Sequence, residues 1–221
     1  MNQTHTPVHV VAAVVVSPDG AVLIARRPDH SHQGGLWEFP GGKAEPGETA
    51  TQTLRRELHE EVGIEVHQSR PLIRVAHDYS DKQVLLDVWR VDRFTGTPHG
   101  REGQPIAWVM PEGLSRYDFP AANVPIVAAT RLPDTYVITP EPSEEPDFLL
   151  RLERVLENGA RLLQLRTKHM EREPYRQLAK EAARLCHRHR ARLLLNDSSA
   201  EEVAAIGADG IHLPAPRLRS L

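Results

Sequence analysis

Residues 42–64 read GKAEPGETATQTLRRELHEEVGI, and this stretch decides how the first half of the chain is organised. Pro40-Gly41-Gly42 reads as a glycine-rich turn ahead of it, and Pro46-Gly47 supplies a second turn. The spacing that follows predicts a helix over 48–62. Ala50, Leu54 and Leu58 recur every four residues as an apolar stripe that can pack on a sheet. Gly63 suits the left-handed residue that ends a helix. Glu57, Glu60 and Glu61 stand at i, i+3 and i+4, so they share a face and converge on one small volume. Three carboxylates placed so repel one another unless a cation lies among them. The bland alternative is a solvated acidic face. An oxygen-only cluster, without Cys or His, suits a hard ion such as Mg²⁺ or Mn²⁺, which usually serves a substrate's phosphates. Arg56 would neutralise part of the cluster and orient it.

As a pattern the stretch is glycine, five residues, Glu, seven residues, Arg-Glu, an aliphatic residue, one residue, Glu-Glu, one residue, glycine, aliphatic. Gly42, Glu48, Arg56, Glu57, Leu58, Glu60, Glu61, Gly63 and Ile64 fill every specified place, and the stretch resembles the Nudix box. The resemblance implies an α/β/α sandwich. It also implies that Glu48 and the trio join main-chain oxygens of the preceding loop, at Gly41, in metal binding and water activation. Which glutamate is the general base stays open.

The likeness continues through 22–43 (VLIARRPDHSHQGGLWEFPGGK), 101–109 (REGQPIAWV) and 118–127 (DFPAANVPIV). Residues 1–131 are similar throughout to MutT-type Nudix hydrolases, which convert 8-oxo-dGTP to the monophosphate and pyrophosphate. That resemblance implies that Arg27 meets the substrate's phosphates and that Glu102 is a further metal ligand or base. Asn123 would read the purine edge with Phe39 beside the base. A carboxamide both donates and accepts, which suits the O6 and N7 side of an oxidised guanine. Taken singly, Asn123 could be a turn residue, Arg27 a solvated strand end and Phe39 a core side chain.

Composition narrows the class. The chain has 221 residues, room for one large or two modest domains. A formal net charge of −3 leaves no basic footprint for a nucleic-acid polymer, so a free nucleotide is the better ligand. One cysteine, Cys186, excludes an internal disulfide framework; its helical surroundings make it a buried spectator rather than a nucleophile. No apolar run approaches the ~18 residues of a membrane span, and the start MNQTHTPVHV lacks a signal peptide's basic and apolar regions. The expectation is a soluble, cytoplasmic enzyme without a membrane partner.

Strands are expected over 8–17, 21–25, 70–77, 83–93 and 107–110, with a short helix over 120–131. The order β-β-α-β-β-α indicates a mixed sheet between helices. At 132–134 (LPD) the character changes. Residues 135–139 (TYVIT) show a buried-strand pattern, 146–158 an amphipathic helix, 159–166 a strand and 174–189 a longer helix. Residues 192–196, 200–206 and 210–213 add strand, helix, strand. This alternation is the signature of parallel α/β units and predicts a second domain over 134–221.

The pieces YVITPE (136–141), NGARLLQLRTKH (158–169), LLLNDS (193–198) and IGADGIHLP (206–214) resemble the first half of the thiamine-phosphate synthase/TenI family, a TIM barrel. The resemblance implies that Gln164, Arg166 and Lys168 meet a pyrophosphate. Asn196 and Asp197 would contribute base recognition and a Mg²⁺ ligand, all at strand C-terminal ends. Pro216 and Arg217 stand where the family places metal-binding carboxylates, so synthase activity is not expected. Only about four of the eight strands of a closed barrel are expected. The chain is then either a piece of a longer protein or a half barrel that pairs with something else, a second copy included. Two further alternatives stand beside 8-oxo-dGTP hydrolysis: a Nudix hydrolase for a thiamine-type diphosphate, and a C-terminal binding or assembly module.

Overall fold

The computed structural model describes residues 7–31, 33–80, 82–144 and 147–219. The first six residues of the start MNQTHTPVHV, His32 in the 22–43 stretch and Pro146 at the expected helix start lie outside them. Two compact units divide the chain, Met1–Arg131 and Leu132–Leu221.

The first unit runs β1 (Val8–Val15), β2 (Val22–Arg26), β3 (Trp37–Glu38), β4 (Gly41–Lys43), α1 (Ala50–Val62), β5 (Glu65–Asp78), β6 (Gln83–Thr95), β7 (Ile106–Val109) and α2 (Val124–Thr130). A mixed sheet has the order β4-β1-β6-β5, with β1 and β6 parallel and the outer pairs antiparallel. A separate antiparallel sheet has the order β3-β2-β7. The pattern in sequence predicts one mixed sheet, and the structure divides it in two. The reason is that β1 already pairs with β4 and β6, so β2 meets its end only through the bridge Val16–Val22.

α1 starts at Ala50 rather than at residue 48. Thr49 caps it: its hydroxyl accepts from the Gln52 N–H at 3.3 Å, and its own N–H donates to the Gln52 side chain at 2.8 Å. This reciprocal box satisfies two orphan donors of the first turn. Gly63 ends the helix at φ +70°. The stripe Leu54, Leu58 and Val62 packs without exposure on Val11, Ala13 and Val15. On the other face of the mixed sheet, Ala12, Val14, Leu86 and Val88 pack with Phe39, Leu114 and Ile126. Two buried faces explain why β6 lacks strict alternation.

The supposed turn at Pro40-Gly41-Gly42 is a correction: Gly41–Lys43 is a strand, antiparallel to β1. Gly41 lies at φ +146°, and a Cβ there would sit 2.1 Å from the Val11 carbonyl oxygen. Glycine is required for close approach of two backbones, not for a reversal.

The second unit runs β8 (Val137–Ile138), α3 (Phe148–Glu157), β9 (Leu162–Leu165), α4 (Arg172–Arg188), β10 (Arg192–Asn196), α5 (Ala200–Ile206), β11 (Gly210–His212) and α6 (Ala215–Leu218). Its sheet is parallel throughout, in the order β11-β10-β9-β8. Among the described residues it stays open and forms no barrel. Leu163, Leu165, Leu193 and Leu195 pack without exposure with Leu152 and Leu156 of α3 and Ala179 and Cys186 of α4. The strand expected over 135–139 shrinks to Val137–Ile138, and Ile138 is 52% exposed. β8 is an edge strand: Val137 packs on the core, and the next side chain alternates to the opposite face. No helix among the described residues is long and apolar enough to cross a membrane.

Candidate active site

Stretches far apart in sequence meet around one cavity of about 420 Å³ in the first unit. Arg27 at the exit of β2, Glu38 in β3, Phe39 after it and Gly41 in β4 form part of its lining. Glu61 of α1, Glu102 of the loop before β7, and Asn123 at the start of α2 complete it. Arg27, Phe39, Gly41, Glu61, Glu102 and Asn123, singled out in the sequence, are thereby brought together.

Each is held locally. Arg27 forms an ion pair with Glu38, and both side chains are 26% exposed. Phe39 is 3% exposed and stacks on Phe119 at 5.5 Å, so it is both core and cavity wall. Asn123 ends a short 3₁₀ turn, Ala121–Asn123, and its carboxamide makes no cap hydrogen bond to α2. The Glu102 loop is tied to the end of α1: Arg101 donates to the His59 carbonyl at 2.9 Å and Gln104 to the Glu61 carbonyl at 3.1 Å.

The four box glutamates divide. Glu48 receives a two-pronged guanidinium from Arg56, 2.9 Å at each oxygen, with Thr53 at 2.8 Å and the Glu45 N–H at 3.0 Å. These bonds, that of Arg56 foremost, hold its carboxyl down at about 2. Arg56 also reaches Glu57 at 2.9 Å and the more exposed Glu60 at 3.2 Å. Glu61 instead accepts from the Gly41 N–H at 3.0 Å. The expected convergence of Glu57, Glu60 and Glu61 on one point is therefore corrected: a planar fork of five donors gathers Glu48, Glu57 and Glu60, and Glu61 turns to the cavity. Among the described residues, no three acidic, histidine or cysteine side chains are gathered as a ready metal cage.

The donor chemistry nevertheless suits a hard cation. Burial, joined by the charges of Glu38, Glu57 and Glu102, lifts the Glu61 carboxyl to about 8. Burial likewise raises Glu57 and Glu38. Gly42, also on the cavity, lies against Glu57; a Cβ there would stand 2.2 Å from its carboxylate. The chemistry available is thus a carboxyl and main-chain oxygen donor set, in a lining that also carries Arg27, Lys43 and Lys82. Glu38 escaped the sequence reading because a single glutamate in a strand carries no spacing signal. Gln104 escaped for the same reason, whereas the Thr49–Gln52 box has a signature that could have been seen.

In the second unit, Gln164 is buried and donates to Asn196 at 3.1 Å. Arg166 and Lys168 line a cleft of about 230 Å³ with Glu141 and His169. Glu141 accepts from the Thr167 hydroxyl and from the Lys168 N–H at 2.6 Å, and is held below its ordinary range, chiefly by Thr167. Asp197 is paired with Arg217 at 2.9 Å, and Arg217 also donates to the Ser198 carbonyl at 3.1 Å. The five candidates do not form one cluster: Gln164 pairs with Asn196, Arg166 and Lys168 share the cleft, and Asp197 is taken by an arginine.

Comparison with known proteins matches two stretches of the chain separately. Residues 11–129 match the family model described as NUDIX domain, and 135–219 match that described as thiamine monophosphate synthase. An 8-oxo-dGTP diphosphatase of Escherichia coli K12 is 38% identical over 119 residues, covering 54% of this chain and 92% of the relative. A CTP pyrophosphohydrolase of the same organism is 40% identical over 119 residues, covering 54% and 88%. A solved structure from a study of MutT of Aliivibrio salmonicida and Vibrio cholerae superposes with a TM-score of 0.51 at 41% identity, covering 57% of this chain and 97% of that one. With the box complete at all nine places and the family model spanning more than half of its length, this chain belongs to the Nudix hydrolase family.

Proposed function

We propose that the chain is a metal-dependent nucleoside triphosphate pyrophosphohydrolase that converts 8-oxo-dGTP to 8-oxo-dGMP and pyrophosphate in the cytoplasmic nucleotide pool. The observation that supports this most is the single cavity shared by Arg27, Phe39, Asn123, Glu61 and Glu102. Arg27 binds a phosphate, Phe39 walls the base, and the Asn123 carboxamide donates and accepts along the oxidised purine edge. Nudix hydrolases generally act with a divalent cation. Here Mg²⁺, with Mn²⁺ as a substitute, would be held by the Gly41 main-chain oxygen and by Glu48, Glu57, Glu60, Glu61 and Glu102. A cation held there would supply positive charge to neutralise the phosphate oxygens. Arg56 holds Glu48, Glu57 and Glu60 in a fixed arrangement, and one carboxylate takes the proton of the attacking water.

The test is pyrophosphate release with Mg²⁺ from 8-oxo-dGTP, dGTP and CTP, beside phosphate release from thiamine diphosphate, all at low substrate. A strong preference for 8-oxo-dGTP in kcat/KM, lost in Asn123→Ala, supports the proposal. Preference for CTP would move the substrate to the cytidine nucleotides, a reading favoured by the CTP pyrophosphohydrolase relative. Activity confined to thiamine diphosphate would keep the hydrolase chemistry but assign it to the pathway suggested by residues 135–219.

For residues 134–221 we infer the first half of a thiamine-phosphate synthase/TenI-type barrel, following the Nudix domain of 1–131. The Asp197–Arg217 pair favours a binding or assembly module over Mg²⁺-dependent synthesis. Calorimetry with thiamine phosphate tests binding through Arg166 and Lys168. Light scattering tests self-association through the open sheet, and a monomer at all concentrations removes that role.

A further inference from the structure

Glu38 stands between two groups of opposite charge. It pairs with Arg27 in the lining of the cavity, and both side chains are mostly buried. On its other side it shares the lining with Glu61 and Glu102 and feels the charge of each. The register of the small sheet fixes it there, because Glu38 pairs with Ala25, two residues before Arg27. A substrate phosphate that takes the Arg27 guanidinium leaves the Glu38 carboxylate in the same lining as the Glu61 and Glu102 carboxyl groups, an oxygen set suited to a divalent cation.

We propose that Glu38 is a relay: it holds Arg27 until a phosphate takes the guanidinium, and then lends its carboxylate to the divalent cation held at Glu61 and Glu102. Glu38 is in this sense a positioning residue for Arg27 and a ligand that becomes available only when substrate is seated. Metal and substrate then bind cooperatively through one side chain. The inference rests on the metal-dependent reading of the cavity given above.

The test needs no nucleotide. Removing the Arg27 charge imitates its capture by a phosphate, and Mn²⁺ binding to the full chain is followed by electron paramagnetic resonance. Arg27→Gln is expected to tighten Mn²⁺ binding about five-fold or more, and the gain to shrink below about two-fold when Glu38→Gln is added. Arg27→Lys, which keeps a cation at the site, is expected to bind Mn²⁺ within about two-fold of wild type. Equal gains with and without Glu38 would overturn the relay, because they would reflect only the general field of Arg27. If Glu38→Gln fails to fold, Glu38→Asp, one methylene too short to serve both partners, should show the same loss of coupling. Wild-type protein that binds no Mn²⁺ would instead sink the metal-dependent reading itself, so the two failures are distinguishable.

Discussion

The two units differ in the carboxylates they leave without a cationic partner. In the first, burial raises Glu38, Glu57 and Glu61, of which Glu38 and Glu61 line the cavity, while Arg56 holds Glu48 low. In the second, Glu141 is satisfied by Thr167 and the Lys168 N–H and is lowered, while Asp197 is answered by Arg217. The apolar cores are alike: leucines without exposure fill the space between helix and sheet in both. The difference is electrostatic. Perturbed carboxylates of this kind mark a candidate functional site, and they lie in the first unit.

The largest effect should come from Glu57→Gln, which keeps the helix and removes one ligand charge. Turnover should fall by about 10²-fold or more, with the thermal midpoint little changed. Near-normal rates at saturating Mg²⁺ would break the contrast, since the strained carboxylates would then be idle.

Core truncation should treat the units equally. Leu54→Ala and Leu193→Ala each remove a side chain without exposure and should each cost about 3 kcal/mol in the unit that carries them. Denaturant unfolding of the two variants checks this. A much smaller cost at Leu193 would show that the open parallel sheet relaxes around the gap.

The pH dependence follows from Glu61, whose carboxyl moves from 4.5 to about 8 on folding. Between those values the folded protein keeps a proton that the unfolded chain has lost. Its contribution therefore makes metal-free protein less stable as pH rises from 4.5 to about 8, with no further loss above. Glu141 shifts the other way, so its contribution is present above 4.5 and is lost as pH falls. Melting curves of wild type and Glu61→Gln in chelator should differ in slope across the upper window, and divalent cation should raise the midpoint most near its top. Identical slopes would show that Glu61 titrates normally.

The smallest effect is expected at Arg217. Both members of its pair with Asp197 are 49% exposed, so Arg217→Ala should cost under about 1 kcal/mol. If that variant gains a second Mn²⁺ site, the arginine is what keeps metal out of the second unit.

Much of this was legible along the chain. The α1 stripe, its closing Gly63 and the alternation of strand and helix after residue 134 follow from local periodicity and backbone preference. Gly41 misled because glycine marks both reversals and close backbone contact, and only the neighbouring strand tells which. TYVIT misled because β-branched residues do not distinguish a central strand from an edge.

By itself the sequence determined which residue types stand at which spacing: the nine places of the box and the spacing of Thr49 and Gln52 as a capping pair. Those are matters of local order, set within one or two turns of backbone. Tertiary structure alone decided which charges meet. It gave Glu61 the Gly41 N–H as its partner, placed Glu38 against Arg27, and brought Asp197 to Arg217 from 20 residues away. Pairing of charges depends on distance and burial in space, and neither is written in the order of residues.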